Sequence, residues 1–339
     1  MACRFLSSYE SHMPLAKLFK RRPPEPRLPN LVCVGIEKCG TTFLNAAFAQ
    51  SPDLLTPRKK ELFFFNDHFM EGRDWYLSWY DFASKPEARY VCDITPSYFR
   101  AARSLTRIRE TLGQPKIIIV LRHPVYRSFS HYVHRLRHVA PRLESYGNTF
   151  LDEMTDQRTR RLLFPHYSEH LQMLLEMFNR QDILIMTYEH DILNPLRAQE
   201  KLKNFLDLDR LDFSAMAGKR VNHGKMPRFF YSAEPGSALE IGGETYFLPP
   251  GVLLLAHAKG TRAWKDVDEL TAASNIEASG NWTCGLDEAE VAHLMETYYA
   301  SDLDTLERDF GIDVNQWRSM THPVRYEVAL PDIECLQKA

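Results

Sequence analysis

The sequence has no excess of charge of either sign. Its 339 residues contain 42 lysines and arginines against 44 aspartates and glutamates, which gives a net charge of −2. Overall charge therefore cannot hold the protein on nucleic acid or on an anionic membrane, and an anion must bind at a local cluster of positive charge. We expect neither a nucleic-acid partner nor a membrane partner.

Long apolar segments and closely spaced cysteines are also missing. No stretch reaches the roughly 18 to 20 apolar residues that a bilayer-spanning helix needs, and the first 30 residues contain no apolar run of signal-peptide length. The six cysteines are scattered over the chain without C-x-x-C pairs, a pattern that disfavours a disulfide framework or a zinc knuckle. Together these absences predict a soluble protein of a reducing, cytoplasmic compartment.

Within the first 30 residues, basic residues at 17, 20, 21 and 22 are followed by prolines at 23, 24, 26 and 29. Such a composition favours an extended arm over a packed element. We therefore predict an N-terminal arm over residues 1–30, one domain over 31–320 and a C-terminal tail over 321–339.

Short apolar runs alternate with helical patterns from residue 31 onward. Apolar runs without polar alternation are typical of strands buried on both faces of a parallel sheet. Strands are predicted at 31–36, 89–94, 116–121 and 182–188, and helices at 41–50, 98–112, 124–138, 166–179, 196–206 and 287–309. The alternation predicts an α/β fold, a single domain with a central parallel sheet flanked by helices. Residues 214–285 are rich in glycine, proline and small polar residues, and no architecture is predicted for them.

A glycine loop, GIEKCGTT at 35–42, joins the first predicted strand to the first predicted helix. Backbone N–H groups and the positive end of the helix converge there, as in a phosphate-binding loop. A nucleoside-triphosphate P-loop would have lysine after the second glycine, whereas Thr41 holds that position here and Lys38 lies inside the loop. We expect Lys38 to reach a bridging or leaving oxygen and Thr41 and Thr42 to bind a terminal phosphate. A tight turn with an incidental lysine is the alternative.

A second basic segment follows the strand at 116–121. No aspartate or glutamate occurs from residue 111 to 143, whereas six lysines and arginines do. Pro124 suits a first helical turn, which places Arg122 at the carboxyl end of the strand and Ser130 about two turns along the helix. This arrangement predicts a second phosphate site, with a solvated basic helix face as the alternative.

These two segments together resemble the cofactor signatures of sulfotransferases that use 3′-phosphoadenosine 5′-phosphosulfate (PAPS). The segments PRKKELFFFN at 57–66, GRDWY at 72–76 and TPSYF at 95–99 are similar to further landmarks of that family. The similarity is closest to the sulfotransferase domain of heparan N-deacetylase/N-sulfotransferases and related glycan sulfotransferases, and it extends over about residues 31–317.

The resemblance implies a P-loop-like fold and a set of cofactor-binding residues. The loop would hold the 5′ phosphosulfate through Lys38, Cys39, Gly40, Thr41 and Thr42. The 3′ phosphate would be held by Arg122 and Ser130. A late Lys-Gly-Arg loop of the family has its nearest counterpart in Lys259, Gly260 and Arg262, where one extra residue loosens the spacing. The family's nearby disulfide has no counterpart, because Cys284 has no cysteine near it in the sequence.

The resemblance also implies which residues act on the acceptor. Glu61 lies in the segment that carries the family's catalytic carboxylate, and a carboxylate can serve as general base at neutral pH. His134 and His138 reproduce a histidine pair of the family, with His134 as an acid–base partner and His138 as a substrate contact. Their i, i+4 spacing could also bind zinc, but no third ligand accompanies them, so we predict no metal.

Aromatic residues at 75, 76, 79 and 80 have two interpretations. They could form a wall that stacks on a sugar, with Trp75 as the substrate contact, or they could be the core-facing stripe of a helix.

The sequence thus predicts transfer of a sulfuryl group from PAPS to an amine or hydroxyl of a glycan or small-molecule acceptor. Lys38 would stabilise the leaving phosphate, 3′-phosphoadenosine 5′-phosphate (PAP) being the product, and Glu61 would act as base. A P-loop nucleotide or small-molecule kinase is one alternative, since YVCD at 90–93 could be a Walker B strand end. A non-catalytic protein that binds a sulfated or phosphorylated polymer through residues 122–142 is the other.

Overall fold

The computed structural model describes residues 25–138, 150–163, 166–216, 218, 228–231, 238–241, 244–247, 253–256 and 282–328. Five strands form one sheet: Leu31–Gly35 (β1), Leu54–Leu55 (β2), Tyr90–Ile94 (β3), Lys116–Leu121 (β4) and Ile183–Thr187 (β5). The strand order is β2-β3-β1-β4-β5, and every neighbouring pair is parallel. The predicted central parallel sheet is confirmed, and β2 is the strand that the sequence did not predict.

Helices connect the strands and cover the sheet. They are Thr41–Gln50 (α1), Gly72–Leu77 (α2), Ala102–Leu112 (α3), Pro124–His138 (α4), Phe150–Thr155 (α5), Gln157–Leu163 (α6), Tyr167–Met177 (α7), Pro195–Leu206 (α8), Glu288–Leu294 (α9), Ala300–Phe310 (α10) and Asn315–Ser319 (α11). The predicted helices at 41–50 and 124–138 have the predicted bounds. The helix predicted at 287–309 consists of α9 and α10 joined by a π-helical turn at Met295–Tyr299.

The sheet is the centre of the hydrophobic core. All five residues of β1 are buried, and so are the last five of β4, because helices pack on both faces. This explains the unbroken apolar runs in the sequence. Since the strands are parallel, the carboxyl ends of β3, β1, β4 and β5 meet at one edge of the sheet, which we call the carboxyl edge.

Six further strands of the described residues lie outside the central sheet and form antiparallel pairs. The pairs are Arg228–Tyr231 (β6) with Leu253–Ala256 (β9), Ala238–Ile241 (β7) with Glu244–Phe247 (β8), and Trp282–Leu286 (β10) with Val324–Val328 (β11). The last strand falls within the segment predicted as a tail. Residues 1–24 of the predicted arm and 329–339 of the predicted tail lie outside the described residues, so the division into arm, domain and tail stays a prediction.

Two kinds of feature are absent from the part of the chain that the structure describes. No helix among the described residues is long and apolar enough to cross a membrane. The same part of the chain contains no group of three or more histidine, cysteine, aspartate or glutamate side chains that could hold a metal ion.

Candidate active site

The loop between β1 and α1 makes a tight turn at the carboxyl edge. The amide of Ile36 donates to the carbonyl of Val120 in β4 at 3.1 Å, and the amide of Cys39 donates back to the carbonyl of Ile36 at 3.3 Å. Lys38 has a φ of 71°, and Gly40 begins α1 in the left-handed region with a φ of 93°. The turn therefore presents the amino end of a ten-residue helix, with its unpaired N–H groups, at this edge.

Gly40 is required for both its backbone conformation and its lack of a side chain. A Cβ atom there would lie 2.7 Å from Cγ2 of Ile192 and 3.2 Å from Cδ2 of Tyr188, both in the segment after β5. The close approach packs the start of α1 directly against that segment.

We expect Gly40→Ala to destabilise the protein by about 2–4 kcal/mol, the sum of a strained φ and an overpacked contact. Gly311→Ala is the matched control, because Gly311 also has a positive φ of 63° but nothing within 4 Å of its Cβ position. Urea unfolding of both variants measures the difference, and equal losses of unfolding free energy would contradict the contact with Ile192.

Arg122 joins the two segments that the sequence assigned to an anion. Its Nη1 donates to the carbonyl of Lys38 at 3.0 Å, and its guanidinium lies over the ring of Tyr188 at 4.6 Å. Tyr167 donates to the carbonyl of Arg122 at 2.8 Å and so fixes the main chain after β4. The Nε of Arg122 is buried with no hydrogen-bond partner among the described residues, which fits a group that awaits an anion.

Three further predicted anion ligands lie on the two helices that start at this edge. Thr41 is buried and Thr42 half-buried in the first turn of α1, while Ser130 is half-buried on α4. His134 follows Ser130 by one turn on α4 and is also half-buried. His138 is the last residue of α4, and its side chain lies outside the described part of the structure.

Glu61 lies in the segment between β2 and α2. Its φ is 61°, its side chain is one-third exposed, and its carboxylate pairs with the ammonium of Lys60. Burial raises the pKa of the Cys33 thiol in β1 to about 12, and the charges of Lys60 and Glu61 shift it slightly in opposite directions. Asn66, at the end of the same segment, donates to Ser97 at 3.3 Å, so the segment runs along the carboxyl edge beside β3.

Arg107 holds the main chain of this segment. Its Nη1 donates to the carbonyl of Phe65 at 2.9 Å and to the carbonyl of Asn66 at 3.0 Å. Arg107 itself is buried, so the position of the Glu61 segment is fixed from inside the protein.

The four aromatic residues at 75, 76, 79 and 80 divide between the core and the surface. Tyr76 and Tyr80 are buried in the core and cannot stack on a sugar, which corrects the idea of a wall made of all four rings. Trp75 and Trp79 are half-buried, with ring centroids 5.7 Å apart, and Trp75 lies 4.8 Å from the ring of His68. Of these four rings, only those of the two tryptophans keep exposed surface that a ligand could contact.

Asp93 bears on the kinase alternative. It is fully buried at the end of β3, where Tyr76 and Tyr98 donate to one carboxylate oxygen at 2.6 and 3.0 Å. Thr95 donates to the other oxygen at 2.7 Å. Burial raises the pKa of Asp93, and the three hydroxyl groups oppose that shift. A Walker B carboxylate must face a hydrated Mg²⁺, whereas this one is enclosed by hydroxyl donors, so the kinase interpretation is disfavoured.

Glu189 is a residue of this edge to which the sequence assigned no role. It accepts the amide of His123 at 3.0 Å and the indole N–H of Trp317 at 2.8 Å. Burial lowers the pKa of His123 to about 4, and its ring lies 3.0 Å from the carbonyl of Met320. The segment after α10 is thus fastened behind the start of α4, a link that no local sequence pattern indicates.

The late-loop candidates Lys259, Gly260 and Arg262 lie outside the described residues.

Cys39 is buried, and burial raises the pKa of its thiol to about 12, so Cys39 contributes its main chain to the loop and not a thiolate.

A family model described as the sulfotransferase domain matches residues 28–222. The chain belongs to this family. The match contains β1 to β5, the glycine loop, Glu61, Arg122 and the start of α4, whereas the resemblance beyond residue 222 stays a prediction.

Two curated sulfotransferases are similar over part of the chain. The membrane-associated sulfotransferase kil1 of Dictyostelium discoideum is 34% identical over 106 residues, which are 31% of this chain and 22% of that protein. The human bifunctional heparan sulfate N-deacetylase/N-sulfotransferase 1 is 25% identical over 194 residues, 53% of this chain and 22% of that protein. The chain therefore matches about a fifth of the length of these relatives.

Among solved structures, the sulfotransferase from Alicyclobacillus acidocaldarius is 23% identical with a TM-score of 0.46. The similarity covers 58% of this chain and 87% of that one.

Proposed function

We propose that this protein transfers a sulfuryl group from PAPS to an amine or hydroxyl of a glycan or small-molecule acceptor. The observation that carries the proposal is the hydrogen bond between Arg122 and the carbonyl of Lys38. It brings the glycine loop and the basic segment together at one edge, as a ligand with phosphate groups at its 5′ and 3′ positions requires. Membership of the sulfotransferase family supports the reaction class.

The donor supplies the activated sulfuryl group, and the chain supplies binding and charge. The loop amides, with Thr41 and Thr42, bind the 5′ phosphate, and Arg122 and Ser130 bind the 3′ phosphate. Lys38 stabilises the negative charge that develops on the leaving phosphate oxygen.

Acceptor activation is assigned to Glu61, which removes the proton from the attacking amine or hydroxyl. Its carboxylate pairs with Lys60 in this structure, so the acceptor must displace or share that contact. His134 is the second candidate for moving this proton. Trp75 and His138 are assigned to acceptor binding, and none of the roles requires a metal.

The proposal also covers the cellular location of the protein and the partners that it lacks. We propose a cytoplasmic location, because the six cysteines are scattered without C-x-x-C pairs. We propose no nucleic-acid or membrane partner, because the protein is nearly neutral and the segment with basic but no acidic residues, 111–143, is local.

Isothermal titration tests the proposed donor. We expect PAP to bind without Mg²⁺ and its affinity to fall with added salt, because the contacts are charged. Mg²⁺-dependent ATP binding without PAP binding would support a kinase instead. Binding of a sulfated polymer with neither nucleotide would support a non-catalytic protein.

A further inference from the structure

A carboxylate lies inside the anion loop, between two guanidinium groups. Glu37 accepts a hydrogen bond from Arg100 at 2.8 Å on one oxygen and from Arg127 at 3.2 Å on the other. Arg127 is only 2% exposed and Glu37 19%. Arg100 follows β3 and Arg127 lies on α4, so Glu37 ties the loop to the elements on both sides of β1.

A negative charge at this position needs an explanation. An unpaired carboxylate next to a bound phosphosulfate would repel it, whereas Arg100 and Arg127 together offset the charge of Glu37. Because both guanidinium groups pair with Glu37, we assign this carboxylate a structural role in the loop and not a contact with the donor.

The same cluster fixes the main chain of the loop. The Nε of Arg127 donates to the carbonyl of Glu37 at 3.2 Å, and Arg122 donates to the next carbonyl, that of Lys38. Two consecutive peptide units are thus held from the side of α4, and a planar peptide whose carbonyl is held also has a fixed N–H direction. Lys38 sits between them at a φ of 71°, a conformation that its own sequence does not favour.

We propose that Glu37, Arg100 and Arg127 form a positioning cluster that holds the glycine loop in its donor-binding conformation without contacting the donor. Donor affinity then depends on the cluster through the 5′ end of the nucleotide, because the loop binds that end. The identity of the ligand rests on the proposed function, whereas the effect on the loop does not.

Hydrogen exchange in the unliganded protein tests the cluster directly. Arg127→Lys keeps the charge but removes Nε and the forked donor geometry, and Glu37→Gln keeps the shape but removes the charge. In both variants we expect the amides of Lys38 and Cys39, which belong to the two held peptide units, to exchange about tenfold faster or more, as loss of a hydrogen bond to a charged group predicts. Amides of β3 should keep their wild-type rates.

Arg210→Lys is the matched control. Arg210 forms a forked ion pair with Asp53 at the opposite edge of the sheet, where Asp53 precedes β2. The Arg210→Lys variant should leave the exchange of the loop amides unchanged. If Arg127→Lys does not fold, Glu37→Gln decides alone, and wild-type exchange of the loop amides in the folded variants would overturn the proposal.

Nucleotide binding supplies the second readout. We expect Arg127→Lys to weaken PAP binding about tenfold or more, because the change acts on the loop. Adenosine 3′-monophosphate, which lacks the 5′ phosphate, should bind the variant and the wild type equally. Equal weakening for both ligands would indicate general damage and contradict the positioning role. If the wild type binds no PAP, the proposed function fails, and the exchange data alone decide on the cluster.

Discussion

Replacing Lys38 by alanine should lower kcat by about 10² to 10³-fold or more at saturating donor, the usual effect of losing a group that stabilises charge in the transition state. Lys38 lies in the glycine loop, which is assigned to the 5′ end of the donor, and Arg122 donates a hydrogen bond to its carbonyl. Because alanine keeps this carbonyl, the substitution removes the ammonium and leaves the hydrogen-bonding group in place. PAP affinity should fall much less than kcat, and single-turnover rates with titration of PAP measure the two effects separately.

Two comparisons make the Lys38 result interpretable. Lys203→Ala removes the same charge from the far end of α8, near Asp207, which pairs with Arg89 just before β3; this variant should keep the wild-type rate. Arg122→Ala and Ser130→Ala should instead raise the dissociation constant of the donor, because both residues are assigned to ground-state binding. A Lys38→Ala enzyme with near-wild-type kcat and an occupied donor site would show that Lys38 does not act on the leaving group.

The parts of this fold that could be predicted from the sequence are those with a local pattern. Strands β1, β4 and β5 are almost continuously apolar and were predicted together with the more mixed β3, whereas β2 has two residues and no periodicity to detect. Helices α1 and α4 were predicted with their bounds, because Ser51-Pro52 ends the first and Pro124 starts the second. Helix α2, with six residues, was anticipated only as one of two interpretations of the aromatic residues at 75, 76, 79 and 80, since it is too short to give a clear helical pattern.

The candidate site also has a part that the sequence predicts and a part that it does not. The glycine loop is a contiguous motif, so its position at the start of α1 followed from the sequence. The pairing of Glu37 with Arg100 and Arg127 spans 63 and 90 residues of chain, and it arises only because the sheet order places β3 and β4 on either side of β1. No local pattern encodes that order, so a glutamate inside an anion loop could not be interpreted before the fold was known.

Asp93 is a second residue whose role could be interpreted only once the fold was known. As the last residue but one of a strand, it fits the position of a Walker B carboxylate. Its three partners lie on α2, at the end of β3 and in the turn that follows, and they enclose the carboxylate. The same residue type at the same strand position is thus a structural group here.

Replacing Glu61 by glutamine should lower the rate of the chemical step by about 10² to 10⁴-fold, the range expected for loss of a general base. Glutamine keeps the size of the side chain but cannot accept the proton of the acceptor. Donor binding should be almost intact, because Glu61 lies on the segment between β2 and α2 and not on the glycine loop. Glu110→Gln is the control, since Glu110 is an exposed glutamate on α3, and it should be fully active.

The choice between Glu61 and His134 follows from a comparison of Glu61→Gln with His134→Asn in single-turnover assays at saturating donor. His134 lies on α4, one turn beyond Ser130. Glu61 lies instead in the segment before α2, whose residues Phe65 and Asn66 are held by Arg107 and Ser97. If Glu61 is the base, Glu61→Gln should lose the chemical step, while His134→Asn should keep most of the wild-type rate. Loss of the chemical step in the histidine variant alone would assign the proton transfer to His134 and leave Glu61 as the partner of Lys60.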